Sequence, residues 1–199
     1  MVRIACAVLL GAVLFAFPAS AIDLNPLSAV KGLVEAAVED RSSDDIAADL
    51  AIKGKITAQV IDQMGTDVIS ISADVYEQDV MLTGIVEKAE QKSQAEQLTK
   101  SIENVKTVYN EILVIKDVDR RKGTAEGFVD DTVIEGKINA LLLDAQAVNV
   151  TNFRWRSVDG HVFLFGRALS QTELNKAIGI VKGIKNVASV KSRVKVRPK

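Results

Sequence analysis

Cysteine is nearly absent from this 199-residue chain: the one present, Cys6, lies in the first apolar stretch, so no disulfide or thiol chemistry is available to the rest. Histidine is equally scarce. His161 follows Asp159-Gly160 at a predicted hairpin, and acid–base catalysis would need a positioned nucleophile and an orienting partner, neither of which can be assigned around it. It reads as an exposed turn residue, and no catalytic residue and no enzyme are expected. The glycines build no phosphate loop, because neither Gly84 nor Gly166 sits in a clustered run before a helix. A metal site is equally unsupported. The acidic pairs Asp44-Asp45 and Asp130-Asp131 lack the ligand spacing of a calcium loop and fall at predicted helix starts, where carboxylates cap free amides and meet the positive dipole end. No metal and no cofactor are predicted.

Long hydrophobic runs are also missing after the first. Arg3, the apolar stretch Ile4 to Phe17 and Ala19-Ser20-Ala21 have the layout of a secretory signal peptide spanning residues 1–21, cleaved after Ala21. The stretch is shorter than the roughly 20 residues a membrane-spanning helix needs. Cys6 lies inside it, so removal with the leader is expected and acylation is not. An exported location, a bacterial periplasm, is expected, and export argues against nucleic acid as a partner.

What is present is a repetition. Gly54-Lys55-Ile56 recurs as Gly136-Lys137-Ile138, the Val80, Leu82, Gly84 set as Val162, Leu164, Gly166, and Asn104-Val105 with Val108 as Asn186-Val187 with Val190. Each pair is 82 apart (136 − 54, 166 − 84, 186 − 104), so two copies of one small unit align without a gap. Residues 22–43 precede them, with apolar spacing that is partly helical and an acidic end at Glu35, Glu39 and Asp40; a linker-like helix is favoured over a lipid-binding one. The units are placed at 44–116 and 128–197, joined by a charged, glycine-containing linker at 117–127.

In copy one, Ile46, Leu50, Ile56, Val60 and Ile61 predict a helix up to Gly65. Val68 to Val75 alternates as a strand, Val80 to Val86 follows as a second, Lys88 to Lys100 reads as a helix and Val105 to Ile115 as a third strand. Copy two repeats this over Asp131–Ala145, Val148–Val158, His161–Leu169, Gln171–Ile184 and Val187–Val196. The fold class is α+β: tandem αββαβ units, each with two helices packed on a three-stranded mixed sheet. Gly84 and Gly166 are read as structural glycines that let a helix pack closely on the sheet.

This order, the Val-x-Leu-x-Gly strand and the Asn-Val-x-x-Val entry to the last strand resemble the BON domain (bacterial OsmY and nodulation domain), over about Asp44 to Val196. Asn104 and Asn186 stand where the family usually has a glycine, and asparagine tolerates the left-handed turn that a glycine would take. The resemblance implies a periplasmic tandem-BON protein, peripheral at the outer membrane, associated with phospholipid binding, outer-membrane integrity and tolerance of osmotic stress. The partners it implies are an anionic phospholipid surface and, secondly, envelope proteins. A protein-interaction or chaperone-like module without lipid binding is the alternative.

The near-neutral total conceals a polarised pair. Residues 44–116 carry 13 acidic and 7 basic side chains, net −6, and residues 126–199 carry 7 acidic and 12 basic, net +5. One strand face of copy two should carry Phe163, Phe165 and Arg167 beside Arg154, Arg156, Lys191, Arg193 and Lys195. The matching face of copy one offers Asp74, Tyr76, Met81, Thr83, Ile85, Tyr109, Glu111 and Leu113. Apolar centres rimmed by opposite charge suggest that the two sheets dock, which is favoured over an open face on copy two that binds lipid head groups. With the sheets occupied, the lipid-facing candidate is the first helix of copy two. Ile134, Ile138, Leu141, Leu142 and Ala145 form its predicted core stripe and leave Val133, Lys137 and Ala140 on another face, where an apolar side chain beside a lysine suits a head-group boundary.

Overall fold

Alternate residues of a strand part to opposite faces, and over residues 79–83 and 162–166 both faces are buried. The computed structural model describes residues 39–65, 70–116 and 128–197. The leader, the 22–43 segment before Glu39, the 117–127 linker and the predicted strand start at Val68 lie outside the described residues. Unit one runs α1 (Ser43–Met64), β1 (Ser72–Tyr76), β2 (Asp79–Thr83), β3 (Ile85–Val86), α2 (Ala89–Lys100), β4 (Thr107–Asn110) and β5 (Leu113–Val114). Unit two runs α3 (Phe128–Asp144), a 3₁₀ turn (Val150–Asn152), β6 (Phe153–Val158), β7 (His161–Ala168), α4 (Gln171–Lys182), β8 (Ser189–Ser192) and β9 (Lys195–Val196).

Local chemistry sets these boundaries. Ser42 Oγ accepts the Asp45 amide at 3.1 Å and Ser170 Oγ accepts the Glu173 amide at 3.1 Å, so serine N-caps open α1 and α4. The two units are mixed sheets of one topology: β1 antiparallel to β2 and β2 parallel to β4, then β6 antiparallel to β7 and β7 parallel to β8. Each unit encloses its own core between sheet and helices. Ile52, Ile56, Val60, Ala73, Val75, Val80 and Leu82 fill the first, and Ile134, Ile138, Leu142, Phe153, Val162, Leu164 and Val181 the second.

Several sequence expectations are corrected. The second and third strands of unit one are interrupted: at Gly84 the chain turns to φ +128°, and β3 pairs with β5 rather than continuing the β2–β4 ladder without a break. The reading of Gly84 and Gly166 as helix-packing positions fails. A Cβ at Gly84 would collide with the Ser70 carbonyl, and one at Gly166 with the Asn152 carbonyl, so the close neighbour is the backbone leading into the adjacent strand. Residues 150–152 form a 3₁₀ turn where a strand was expected from Val148. The left-handed asparagines do occur, with Asn104 at φ 70° and Asn186 at φ 73°.

Candidate functional site

Side chains that point away from the two cores meet one another. Tyr76, Met81, Val158, Phe163 and Phe165 form a third buried cluster between the units, with Ile85, Tyr109 and Leu113 packed against it. Met81 is fully buried and Phe165 is 2% exposed. Tyr109 meets Phe165 edge-on, ring centroids 6.1 Å apart.

Ion pairs ring this apolar centre. Arg156 Nε and Nη2 donate to Asp74 at 3.0 and 3.2 Å; Lys191 Nζ and Arg193 Nε donate to the two oxygens of Glu111 at 2.6 and 2.7 Å. Lys195 pairs with Asp79, Arg197 with Glu77, and Arg167 Nη1 lies 3.5 Å from Glu77. In every one of these the acid belongs to unit one and the base to unit two. Burial opposes ionisation of Glu111, but hydrogen bonds from Lys191 and Arg193 outweigh it and hold the carboxyl below its ordinary range. Asp74 raises the Arg156 guanidinium above its ordinary value against the effect of burial. Arg156, Phe163, Phe165, Arg167 and Arg193 are thus engaged between the units, the phenylalanines in the apolar centre and the three arginines against carboxylates.

Arg154, expected between the units, lies 5.6 Å from the ring of Tyr76 there, and it also belongs to a second junction that the sequence did not reveal. The stretch Glu39-Asp40-Arg41, just ahead of unit one, lies across unit two. The Asp40 amide donates to Asn152 Oδ1 at 3.0 Å, and its carboxylate accepts from Asn149 Nδ2 at 2.7 Å and Asn152 Nδ2 at 2.9 Å. Arg154 pairs with Glu39, and Arg41 pairs with Glu39 and Asp49 while its guanidinium sits 4.4 Å above the Tyr76 ring. Burial raises the Tyr76 phenol well above its ordinary pKa, and its hydroxyl reaches Asn152 Oδ1 at 3.2 Å. No hydropathy signal marks Asp40, because its partners lie more than a hundred residues away.

Asp131 is not the helix cap it was read as. Its carboxylate accepts from the amides of Asp159 at 2.7 Å and Gly160 at 3.0 Å and from Ser157 Oγ at 2.6 Å, clamping the β6–β7 turn to α3. Asp49, 82 residues earlier, does the same for Glu77 and Gln78 at 2.8 and 2.7 Å. The repeat itself was the available signal, since an aspartate recurs at both places. At Asp44-Asp45 the capping oxygen is that of Ser42, and the Asp45 carboxyl is held low first by its hydrogen bond from Ser42 and then by that from Gln78.

The outer face of α3 is the remaining feature. Lys137 and Ala140 are exposed, Val133 is 47% exposed, Leu143 61%, and Leu141, expected in the core stripe, is 46% exposed. At 100° per residue these five lie within about 80° of Val133, and the exposed Asp144 falls in the same arc, so one lysine and one aspartate stand among apolar side chains. Leu141 lies off the stripe because Ile134, Ile138 and Leu142 already occupy the buried line. In unit one the positions equivalent to Val133 and Leu141 are Ala51 and Gln59. Two clefts beside Val105 and Lys106 in unit one are lined in part by Lys55, Lys100, Glu103 and Asn104. His161 Nδ1 lies 2.7 Å from Ser189 Oγ at the surface. Among the described residues no three His, Cys, Asp or Glu side chains are placed to share a metal ion, and no helix is long and apolar enough to cross a membrane.

The BON domain profile matches residues 48–116 and again residues 130–198. The chain is 36% identical over 128 residues to an uncharacterized protein in the gshII 5′ region of Anaplasma centrale, covering 64% of this chain and 82% of that protein. It is 30% identical over 149 residues to osmotically-inducible protein Y of Escherichia coli strain K12, covering 75% of this chain and 73% of that protein. Among solved structures, CdsD, a structural protein of the type III secretion system of Chlamydia trachomatis, aligns over 73% of this chain and 92% of its own length, with 12% identity and a TM-score of 0.31.

Proposed function

The chain belongs to the BON domain family, as a tandem pair, and from that premise we propose that it is a non-enzymatic envelope protein that associates with anionic phospholipid surfaces through the outer face of α3. The carrying observation is the exposure of Val133, Leu141 and Leu143 around Lys137 on one helix of the cationic unit. Side chains of this kind dip to the head-group boundary while the amine meets phosphate. The competing lipid surface, the sheet face with Phe163 and Phe165, is covered by unit one. The leader-like first 21 residues support a periplasmic location, and similarity to an osmotically inducible protein supports a role in keeping the envelope intact under osmotic stress.

Co-sedimentation with vesicles tests this directly. The protein should pellet with vesicles containing anionic phospholipid at low salt, less at high salt, and little with zwitterionic vesicles. Val133→Asp with Leu141→Asp should abolish that binding with the melting temperature unchanged, since both side chains are half exposed. Failure of the natural chain to bind anionic vesicles at low salt would reject the reading and leave a protein-docking or chaperone-like module.

A further inference from the structure

The contact between the units has an internal symmetry that the charge pattern exploits. Asp74 and Arg156 are 82 residues apart, and so are Glu111 and Arg193, so each of these ion pairs joins a residue to its own counterpart in the other copy. Across a two-fold relation, only residues on the axis meet their own equivalents. These two pairs therefore mark a pseudo-two-fold axis running through the shared face. Further equivalent positions, Met81 with Phe163 and Tyr76 with Val158, lie in the cluster between the units, as that axis requires.

On such an axis, identical units would place like on like. Two copies of unit one would bring Asp74 onto Asp74 and Glu111 onto Glu111, carboxylates that are 5% and 6% exposed; two copies of unit two would bring Arg156 onto Arg156 and Arg193 onto Arg193. Like charges at ion-pair distance repel, most strongly for the buried carboxylates and less for the arginines, whose side chains are 34% and 36% exposed, whereas the observed pairing neutralises each one. The surrounding pairs of Asp79, Glu77 and Glu111 with Lys195, Arg197 and Lys191 carry the same polarity.

We infer that this face is a charge-coded pairing surface whose one fitting partner is the opposite unit: unit one binds unit two and rejects its own kind. A second copy of this chain then associates through it only by exchanging complete units, one with two′ and two with one′. Eleven residues, 117–127, join the units in sequence, and a chain of that length reaches up to about 36–40 Å when extended. This inference is independent of the lipid reading, because none of its residues lies on α3.

Full-length variants test it. A chain with Asp74→Arg and Glu111→Arg places arginine against arginine at both axial positions, and one with Arg156→Asp and Arg193→Glu places carboxylate against carboxylate there. Each alone should be a monomer with a larger radius of gyration in solution scattering than the natural chain. Mixed in equal amounts, the two should form a complex whose mass by light scattering is the sum of both chains, because each face then finds its opposite in the other chain. The chain carrying all four substitutions should return to the natural monomer mass and radius, which also shows that the substitutions are tolerated. One-sided variants that stay compact, one-sided variants that form homodimers, absence of the mixed complex, or a four-fold variant that stays expanded would each overturn the inference.

Discussion

Thr83 occupies in unit one the place that Phe165 holds in unit two, 82 positions later. It is 1% exposed and, among the described residues, its hydroxyl finds no hydrogen-bond partner. A buried hydroxyl without an acceptor costs more than an apolar group of the same shape. Thr83→Val should therefore stabilise the protein by about 1 kcal/mol, seen as a higher urea midpoint at unchanged slope. A lower midpoint would show that the hydroxyl is satisfied. At the opposite extreme, Asn152 is fully buried and every polar atom of its side chain is used, accepting from Tyr76 and Asp40 and donating to the Asp40 carboxylate. Neither residue could be ranked by composition, because what separates them is the presence or absence of a partner from a distant part of the chain.

At the scale of elements, the sequence pattern was informative where a periodicity was strong. The alternation in β1 and β7 and the Ile56, Val60 spacing in α1 reappear as buried lines, whereas Leu50, expected on that helical stripe, is 71% exposed and Ile52 fills the core in its place. Strand continuity was not legible, since hydropathy does not register a positive φ. Gly166, at φ +105°, lies against the carbonyl of Asn152, and Gly166→Ala should cost at least about 2 kcal/mol in denaturant unfolding, through both strain and collision. A loss under about 0.5 kcal/mol would mean that the 3₁₀ turn yields freely. That turn escaped sequence reading for a related reason. Val148 and Val150 look like strand residues, but Asn149 spends its amide on Glu173 and its side chain on Asp40, which removes the segment from any ladder. Leu141 was misplaced because a helical stripe drawn from spacing alone is wider than the buried line that α3 presents.

For the whole molecule, the opposed charges of the two halves were readable from counts, whereas the strap at Glu39-Asp40-Arg41 was not, because its partners are brought near only by docking. Acid should loosen the docked form. The Glu111 carboxyl has a folded pKa below its ordinary value of 4.5, so its contribution is complete above about 4.5 and fades as pH falls through the lower folded value. Glu135 has the opposite sign: burial raises its pKa, so its contribution weakens as pH rises through that value. The melting temperature should therefore fall from about pH 5 to about pH 3, and Glu111→Gln should flatten part of that fall; an unchanged acid limb would remove Glu111 from the account.

With the sheets closed on each other, α3 is the surface proposed to meet lipid. A polarity-sensitive fluorophore attached through Ala140→Cys, in a Cys6→Ser background, reads that contact directly. Its emission should shift to the blue with anionic vesicles at low salt and stay fixed with zwitterionic ones, while the same label attached through Thr172→Cys on α4 stays fixed with both. Vesicle binding with no shift at position 140, or with a shift at position 172 alone, would contradict it.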